Sequence, residues 1–121
     1  MKRLLSALVL TLAVAVLVAG CGGGGSSSSV TDLGTVKLTD NMRFEPNTFT
    51  GKVGKFKVTL QNTGTQIHDF VIPDANVKVT VNPNQTVTKE FEITKEGEYT
   101  IECTQPGHKD LGMTGKLTVT K

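Results

Sequence analysis

The chain has 121 residues, with 13 lysines and arginines against 11 aspartates and glutamates, 37% hydrophobic residues, two cysteines and two histidines. That length holds one small domain and whatever precedes it. The near balance of charge, with no basic stripe interleaved with aromatics, argues against nucleic acid as a partner.

The first element is a leader. Lys2 and Arg3 give a positive start, Leu4 to Val18 is apolar except for Ser6 and Thr11, and "LVAGC" at Leu17 to Cys21 sets small residues before a cysteine. The apolar run falls short of the ~20 residues that span a bilayer. It resembles a bacterial lipoprotein signal peptide, which implies cleavage before Cys21, a lipid on its sulfur, and an extracytoplasmic protein anchored to the membrane surface without a spanning helix. The expected organisation is a signal peptide at 1–20, a lipid-anchored Gly/Ser tether at 21–29 and a globular domain at 30–121. The tether "GGGGSSSS", Gly22 to Ser29, has no side chains to bury, and its reach as a flexible coil is roughly 16 Å. Removing Lys2 and Arg3 leaves 11 basic residues against 11 acidic ones, a net charge of zero. Within the domain, Lys52, Lys55 and Lys57 cluster early, and Glu90, Glu92, Glu96, Glu98 and Glu102 late. These read as two solvated strand faces, with a partner-docking patch as the sharper alternative.

From Val30 onward apolar residues recur at period two, the mark of half-buried strands. The runs are "TVKL" from Thr35, "KFKVTLQN" from Lys55, "NVKVTV" from Asn76, "TVTKEFEI" from Thr86, "GEYTIEC" from Gly97 and "GKLTVT" from Gly115. Turn residues such as "NTGT", "NPNQ" and "KEGE" separate them. In the second run Phe56, Val58 and Leu60 share a face; in the fifth, Tyr99, Ile101 and Cys103 do. No stretch keeps a helical period. The pattern predicts an all-β fold, an antiparallel Greek-key β-sandwich of seven or eight strands. Its core is expected to include Phe44, Phe49, Phe56, Phe70, Phe91 and Ile101.

If the lipid takes Cys21, Cys103 is left as a lone thiol in an oxidising compartment. Its possible roles are a buried inert thiol, a disulfide to Cys21, which requires an unprocessed leader, and a metal ligand. Position favours the last. Cys103 points inward at a strand end and opens the loop "CTQPGHKDLGM", in which His108 and Met113 follow at five-residue intervals. His68 shares a strand side with Phe70 and Ile72. If the two strand ends meet at one pole, His68, Cys103, His108 and Met113 converge. One thiolate, two imidazoles and a weak thioether are the donor set of a type 1 copper site. Zinc is expected in harder or all-thiolate sets, and no oxygen cluster suits a hard cation.

The segment "YTIECTQPGHKDLGMTGKLTV", the upstream "IHDFVI" and "MRFEPNTFTGKVG" resemble the cupredoxins, the type 1 blue copper proteins such as plastocyanin, azurin and auracyanin, from about Val36 to Lys121. The resemblance implies a cupredoxin-like sandwich with one copper ion held by His68, Cys103, His108 and, axially, Met113. It also implies that His108 is the electron port, within an apolar patch that includes Pro106, Leu111 and Gly112. One position departs from the family pattern: Asp69 stands where many members carry the asparagine that ties the two ligand loops together, opposite Thr104. A carboxylate there accepts from Thr104, and its charge favours Cu(II).

The inventory argues against enzymatic chemistry. His68 and His108 are the chain's two histidines, so a second copper centre has no ligands, and every serine lies in the leader or the tether. A Cys103–His108 nucleophile pair leaves His68 and Met113 without a role. The expected function is to carry single electrons between membrane-associated redox partners that dock near His108, as a monomer. The alternative is copper trafficking or tolerance without electron transfer.

Overall fold

The computed structural model describes residues 29–121. The expected signal peptide, Cys21 and the tether up to Ser28 lie outside the described residues. Nine strands follow in chain order: β1 (Thr31–Thr39), β2 (Arg43–Glu45), β3 (Thr48–Lys52), β4 (Gly54–Asn62), β5 (His68–Ile72), β6 (Val77–Val81), β7 (Thr86–Ile93), β8 (Gly97–Glu102) and β9 (Thr114–Thr120), with one 3-10 turn at Pro73–Ala75. They form a four-stranded sheet in the order β2-β1-β4-β7 and a five-stranded sheet in the order β3-β9-β8-β5-β6.

The sandwich is the one the alternation predicts, but both sheets are mixed. β1 runs parallel to β4, and β3 parallel to β9, while the other pairings are antiparallel. The strand count exceeds the expected seven or eight because "RFE" and "TFTGK" are separate short strands, and three to five residues are too few to display a period. β1 also shifts register against β4 between Asp32 and Thr35. Gly34 sits there at φ 80°, a left-handed conformation that glycine adopts without steric cost, and its N–H donates to Asp32 Oδ1 at 2.8 Å.

The core lies between the sheets. Val36, Leu38, Phe56, Val58 and Leu60 from one sheet, and Phe70, Ile72, Val81, Ile101 and Leu117 from the other, have no solvent exposure. Phe44 and Phe70 meet edge to face across the interface, with ring centroids 5.7 Å apart at 78°, a geometry that suits the ring quadrupoles. Phe44, Phe49, Phe56, Phe70 and Ile101 are buried as expected. Phe91 is only half-buried, because it stands on the edge strand β7, where it stacks on Phe56 at 5.4 Å. The lysine and glutamate clusters face each other there: Lys55 pairs in register with Glu92, and Lys57 with Glu90. Opposite charges directly across a strand pair stabilise it modestly, which agrees with solvated strand faces.

The five residues of β5 are all buried. This strand lies inside the five-stranded sheet, between β8 and β6, and it carries both His68 and Asp69. Burial makes Phe56 and Phe91 a matched test of the core. Phe56→Ala should cost about 3–5 kcal/mol, read as a lower urea midpoint at unchanged slope. Phe91→Ala should cost less than half as much, and equal costs would contradict the edge position of Phe91.

Candidate metal centre

Strand direction brings the site together. β5 begins at His68 and β8 ends at Glu102, and the two are antiparallel with Val71 opposite Glu102. The end of one strand therefore lies beside the start of the other, and the residue after β8, Cys103, falls next to His68 and Asp69. The Asp69 N–H donates to Cys103 Sγ at 3.4 Å.

The loop from Cys103 to Met113 is wound by its own backbone. His108 N–H donates to Gln105 O at 3.1 Å, Leu111 N–H to Gly107 O at 3.2 Å, and Gly112 N–H to Lys109 O at 2.9 Å. Met113 closes it: its N–H donates to His108 O, and its carbonyl accepts from Cys103 N–H, both at 3.1 Å. An outside brace comes from β2, where Arg43 Nη1 donates to Met42 O and Leu111 O, each at 2.8 Å. Gly112 makes room for it, since a Cβ at that position would lie 2.6 Å from Arg43 Nη1.

Within this frame the nearest ligating atoms of His68, Cys103 and His108 all lie within 4.8 Å of one another. The two Nδ1 atoms are 3.2 Å apart, and Cys103 Sγ is 3.5 Å from His108 Nδ1. His68, Cys103 and Met113 have no solvent exposure, and His108 retains 7%. All four residues expected to form the site are thus buried at one pole, and Met113 joins the other two loop members through its backbone.

Each imidazole is held from behind. His68 Nε2 faces Asp40 Oδ1 at 3.4 Å, and His108 Nε2 faces Gln66 Oε1 at 3.1 Å. The Asp40 carboxylate is an acceptor only, so it draws the His68 proton to Nε2 and turns a bare Nδ1 toward His108 Nδ1, whereas the Gln66 amide offers both a donor and an acceptor to His108. Burial pushes the His68 imidazole down from its ordinary value, against the opposing pull of Asp40, and pushes the Cys103 thiol up. At neutral pH the ring therefore stands ready as a neutral donor, while the thiol gives up its proton when a metal binds. Two nitrogens and one soft sulfur in a dry pocket fit copper.

The tie expected at Asp69 is present. Thr104 N–H donates to Asp69 Oδ1 and Thr104 Oγ1 to Asp69 Oδ2, both at 2.5 Å, and Gln105 Nε2 adds a third bond at 3.1 Å. The residues not foreseen from sequence are Asp40, Arg43 and Gln66. Asp40 and Arg43 lie 28 and 68 residues from the groups they hold, and no local motif marks them. Gln66 stands two residues before His68, a proximity that carries no direction by itself.

Comparison with known proteins gives the family and the fold. Residues 8–119 match the family model described as a cupredoxin-like domain. The copper-resistant cuproprotein CopI of Rubrivivax gelatinosus is 29% identical over 107 residues, a match covering 69% of this chain and 64% of that protein, so the chain spans less than two thirds of that relative. The dithionite-reduced auracyanin of Roseiflexus castenholzii superposes with a TM-score of 0.68 at 24% identity, covering 78% of this chain and 99% of that one. Auracyanin A of Chloroflexus aurantiacus, a "blue" copper protein, gives 0.66 at 18% identity, covering 76% and 100%. At these identities the two structures share the fold.

The Asp69 tie has a direct test. Asp69→Ala strands the Thr104 amide and hydroxyl without their acceptor, which should cost the metal-free protein about 1–3 kcal/mol and speed hydrogen exchange at the Thr104 amide. Asp69→Asn keeps an acceptor and should fall between. Unchanged protection in the alanine variant would mean that the tie does not hold the loop.

Proposed function

The chain belongs to the family of cupredoxin-like domains, and from that premise we propose that it is a type 1 copper protein that carries single electrons between redox partners outside the cytoplasm. The observation that carries this reading is the buried convergence of His68, Cys103 and His108, with ligating atoms within 4.8 Å of one another. In this reading His68 Nδ1, His108 Nδ1 and Cys103 Sγ would hold one copper ion, and the Met113 thioether would supply a weak fourth donor. Bound copper supplies a one-electron couple between Cu(II) and Cu(I).

What the chain contributes is a fixed cage. Cys103 directly follows β8 and His68 opens the neighbouring β5, Met113 is bonded through its backbone to Cys103 and His108, and both rings are braced at Nε2. Ligands that do not move let an electron pass with little rearrangement. His108 is the one member of the cluster with any exposure, and the exposed apolar residues Leu111 and Ile67 lie in its loop and beside the start of β5, respectively. That arrangement supports His108 as the electron port and its surroundings as the docking face. The enclosure of His68 and Cys103 also supports a carrier over an enzyme, since no substrate reaches those atoms in this conformation.

A second reading rests on the likeness to a copper-resistant cuproprotein: the same ligands would serve copper handling. The intense thiolate-to-copper band separates neither reading, but it decides the site. The copper-loaded protein should show that band in the visible region, and Cys103→Ser should keep the fold by circular dichroism while losing it. Persistence of the band in the serine variant would remove Cys103 from the ligand set.

For location we propose lipid attachment at Cys21, supported by the charged start, the apolar run and "LVAGC" in the sequence. Cys21→Ala should abolish metabolic labelling by a fatty-acid analogue in a bacterial host. Continued labelling of this variant would end the lipoprotein reading.

A further inference from the structure

Asp40 stands in the turn between β1 and β2, and the segment before β5 is shaped to receive it. One carboxylate oxygen, Oδ2, accepts from Thr65 N–H and Thr65 Oγ1, both at 2.8 Å. The other, Oδ1, accepts from Thr65 N–H at 3.0 Å and Gln66 N–H at 3.4 Å, and faces His68 Nε2 at 3.4 Å. Asn62 folds that segment: its Nδ2 donates to Gln66 O at 2.8 Å and Val81 O at 2.9 Å, while its Oδ1 accepts from Gly64 N–H at 2.9 Å. A side chain at Gly64 would run into the Asp40 carboxylate, so glycine there keeps the space open. The Thr65 amide and hydroxyl hold the Asp40 carboxyl below its ordinary range, with smaller help from Gln66 and His68.

We propose that Asp40 is the positioning residue of His68: its carboxylate fixes the ring as the Nε2–H tautomer with Nδ1 bare toward His108 Nδ1, inside the cluster with Cys103, and it sets a negative charge one imidazole away from the metal position. The charge half rests on the copper reading above. The tautomer half rests on geometry alone. Asp69 is the second carboxylate near the cluster, and its charge also reaches His68, but its hydrogen bonds go to Thr104 and Gln105 and to neither ring. Asp40 is therefore the carboxylate hydrogen-bonded to a proposed ligand. A fixed negative charge interacts more strongly with Cu(II) than with Cu(I), so Asp40 favours the oxidised state. A carboxylate that merely held the loop would affect stability but neither the tautomer nor the potential.

Two substitutions separate the roles. Asp40→Asn keeps an acceptor for His68 Nε2–H and removes the charge, whereas Asp40→Ala removes both. Asp74→Asn, on the 3-10 turn beyond the far end of β5, controls for general charge. The first measurement uses the metal-free full chain at pH 8, with long-range proton–nitrogen NMR on the His68 ring. A single Nε2–H tautomer is expected in wild type and Asp40→Asn, and a mixture in Asp40→Ala. The second uses the copper-loaded full chain. Asp40→Asn should raise the reduction potential, by about 59 mV for each tenfold by which Cu(II) affinity falls more than Cu(I) affinity, and Asp74→Asn should leave it in place. Asp40→Ala should also weaken copper binding, by about 10–100-fold; if that variant does not fold, the asparagine variant and the wild-type tautomer still decide. A proton on Nδ1 in wild type, or one tautomer throughout the series, overturns the positioning role. A potential unchanged in Asp40→Asn overturns the charge role. Failure of the wild type to bind copper overturns the copper reading and the charge role together, while the metal-free spectra judge positioning separately.

Discussion

Two imidazoles and a thiol enclosed in a β-sandwich are tolerable only if every polar atom around them has a partner, because a buried donor or acceptor left unpaired costs about 1–3 kcal/mol. Among the described residues no buried side-chain nitrogen or oxygen lacks one. The outward nitrogens are met by Asp40 and Gln66, Cys103 Sγ by the Asp69 amide, and the Asp69 carboxylate by Thr104 and Gln105. The inward faces, two Nδ1 atoms and a sulfur, then point at one another. Satisfying the surroundings is what turns these three donors toward one another, where a metal would take them.

The same constraint explains the loop architecture around the site. A segment carrying His108 and Met113 so close to Cys103 has few residues in which to turn, so it spends its backbone bonds inside itself and on Arg43. Gly112 at φ 101° gives both the left-handed turn and the clearance for the guanidinium. On the other side of the cluster, Asn62, Gly64, Thr65 and Gln66 form a second braced segment that reaches both rings, His68 through Asp40 and His108 through Gln66. The two ligand-bearing segments are thus fastened to each other and to the sheets by side chains that are not proposed ligands.

The sequence carried the features that depend on local period and spacing. Phe56, Val58 and Leu60 alternate cleanly because β4 is nine residues long with one face in the core, and the His108 and Met113 intervals after Cys103 are visible because a single loop holds all three. The Asp69–Thr104 contact was expected through the family resemblance, since Asp69 stands where many members carry the asparagine that ties the ligand loops. Parallel pairing of β1 with β4 and of β3 with β9 was not readable, since alternation reports which face is buried but not the direction of the neighbour. Phe91 looked like core because its period matches that of β7; only the position of β7 at the sheet edge sets it apart. Asp40 in "LTDNM" reads as a turn aspartate, and its distance in the chain from His68 hides its contact with the ring.

Electron transfer and copper handling call for the same donors but for opposite kinetics, and the bracing bears on that difference. A protein that passes copper to an acceptor must let incoming ligands reach the metal while its own let go one at a time. Here His68 and Cys103 have no exposure, each ring is held at Nε2, and the loop bearing His108 is bonded at Met113 and Arg43. Releasing a ligand would therefore break several contacts at once. An electron needs no such opening, only a conducting edge near the surface, and in the proposed reading the partial exposure of His108 would serve as that edge. In the proposed reading the same enclosure would slow ligand exchange and hold the cage in one shape for both oxidation states, so the arrangement favours a carrier of electrons over a donor of metal.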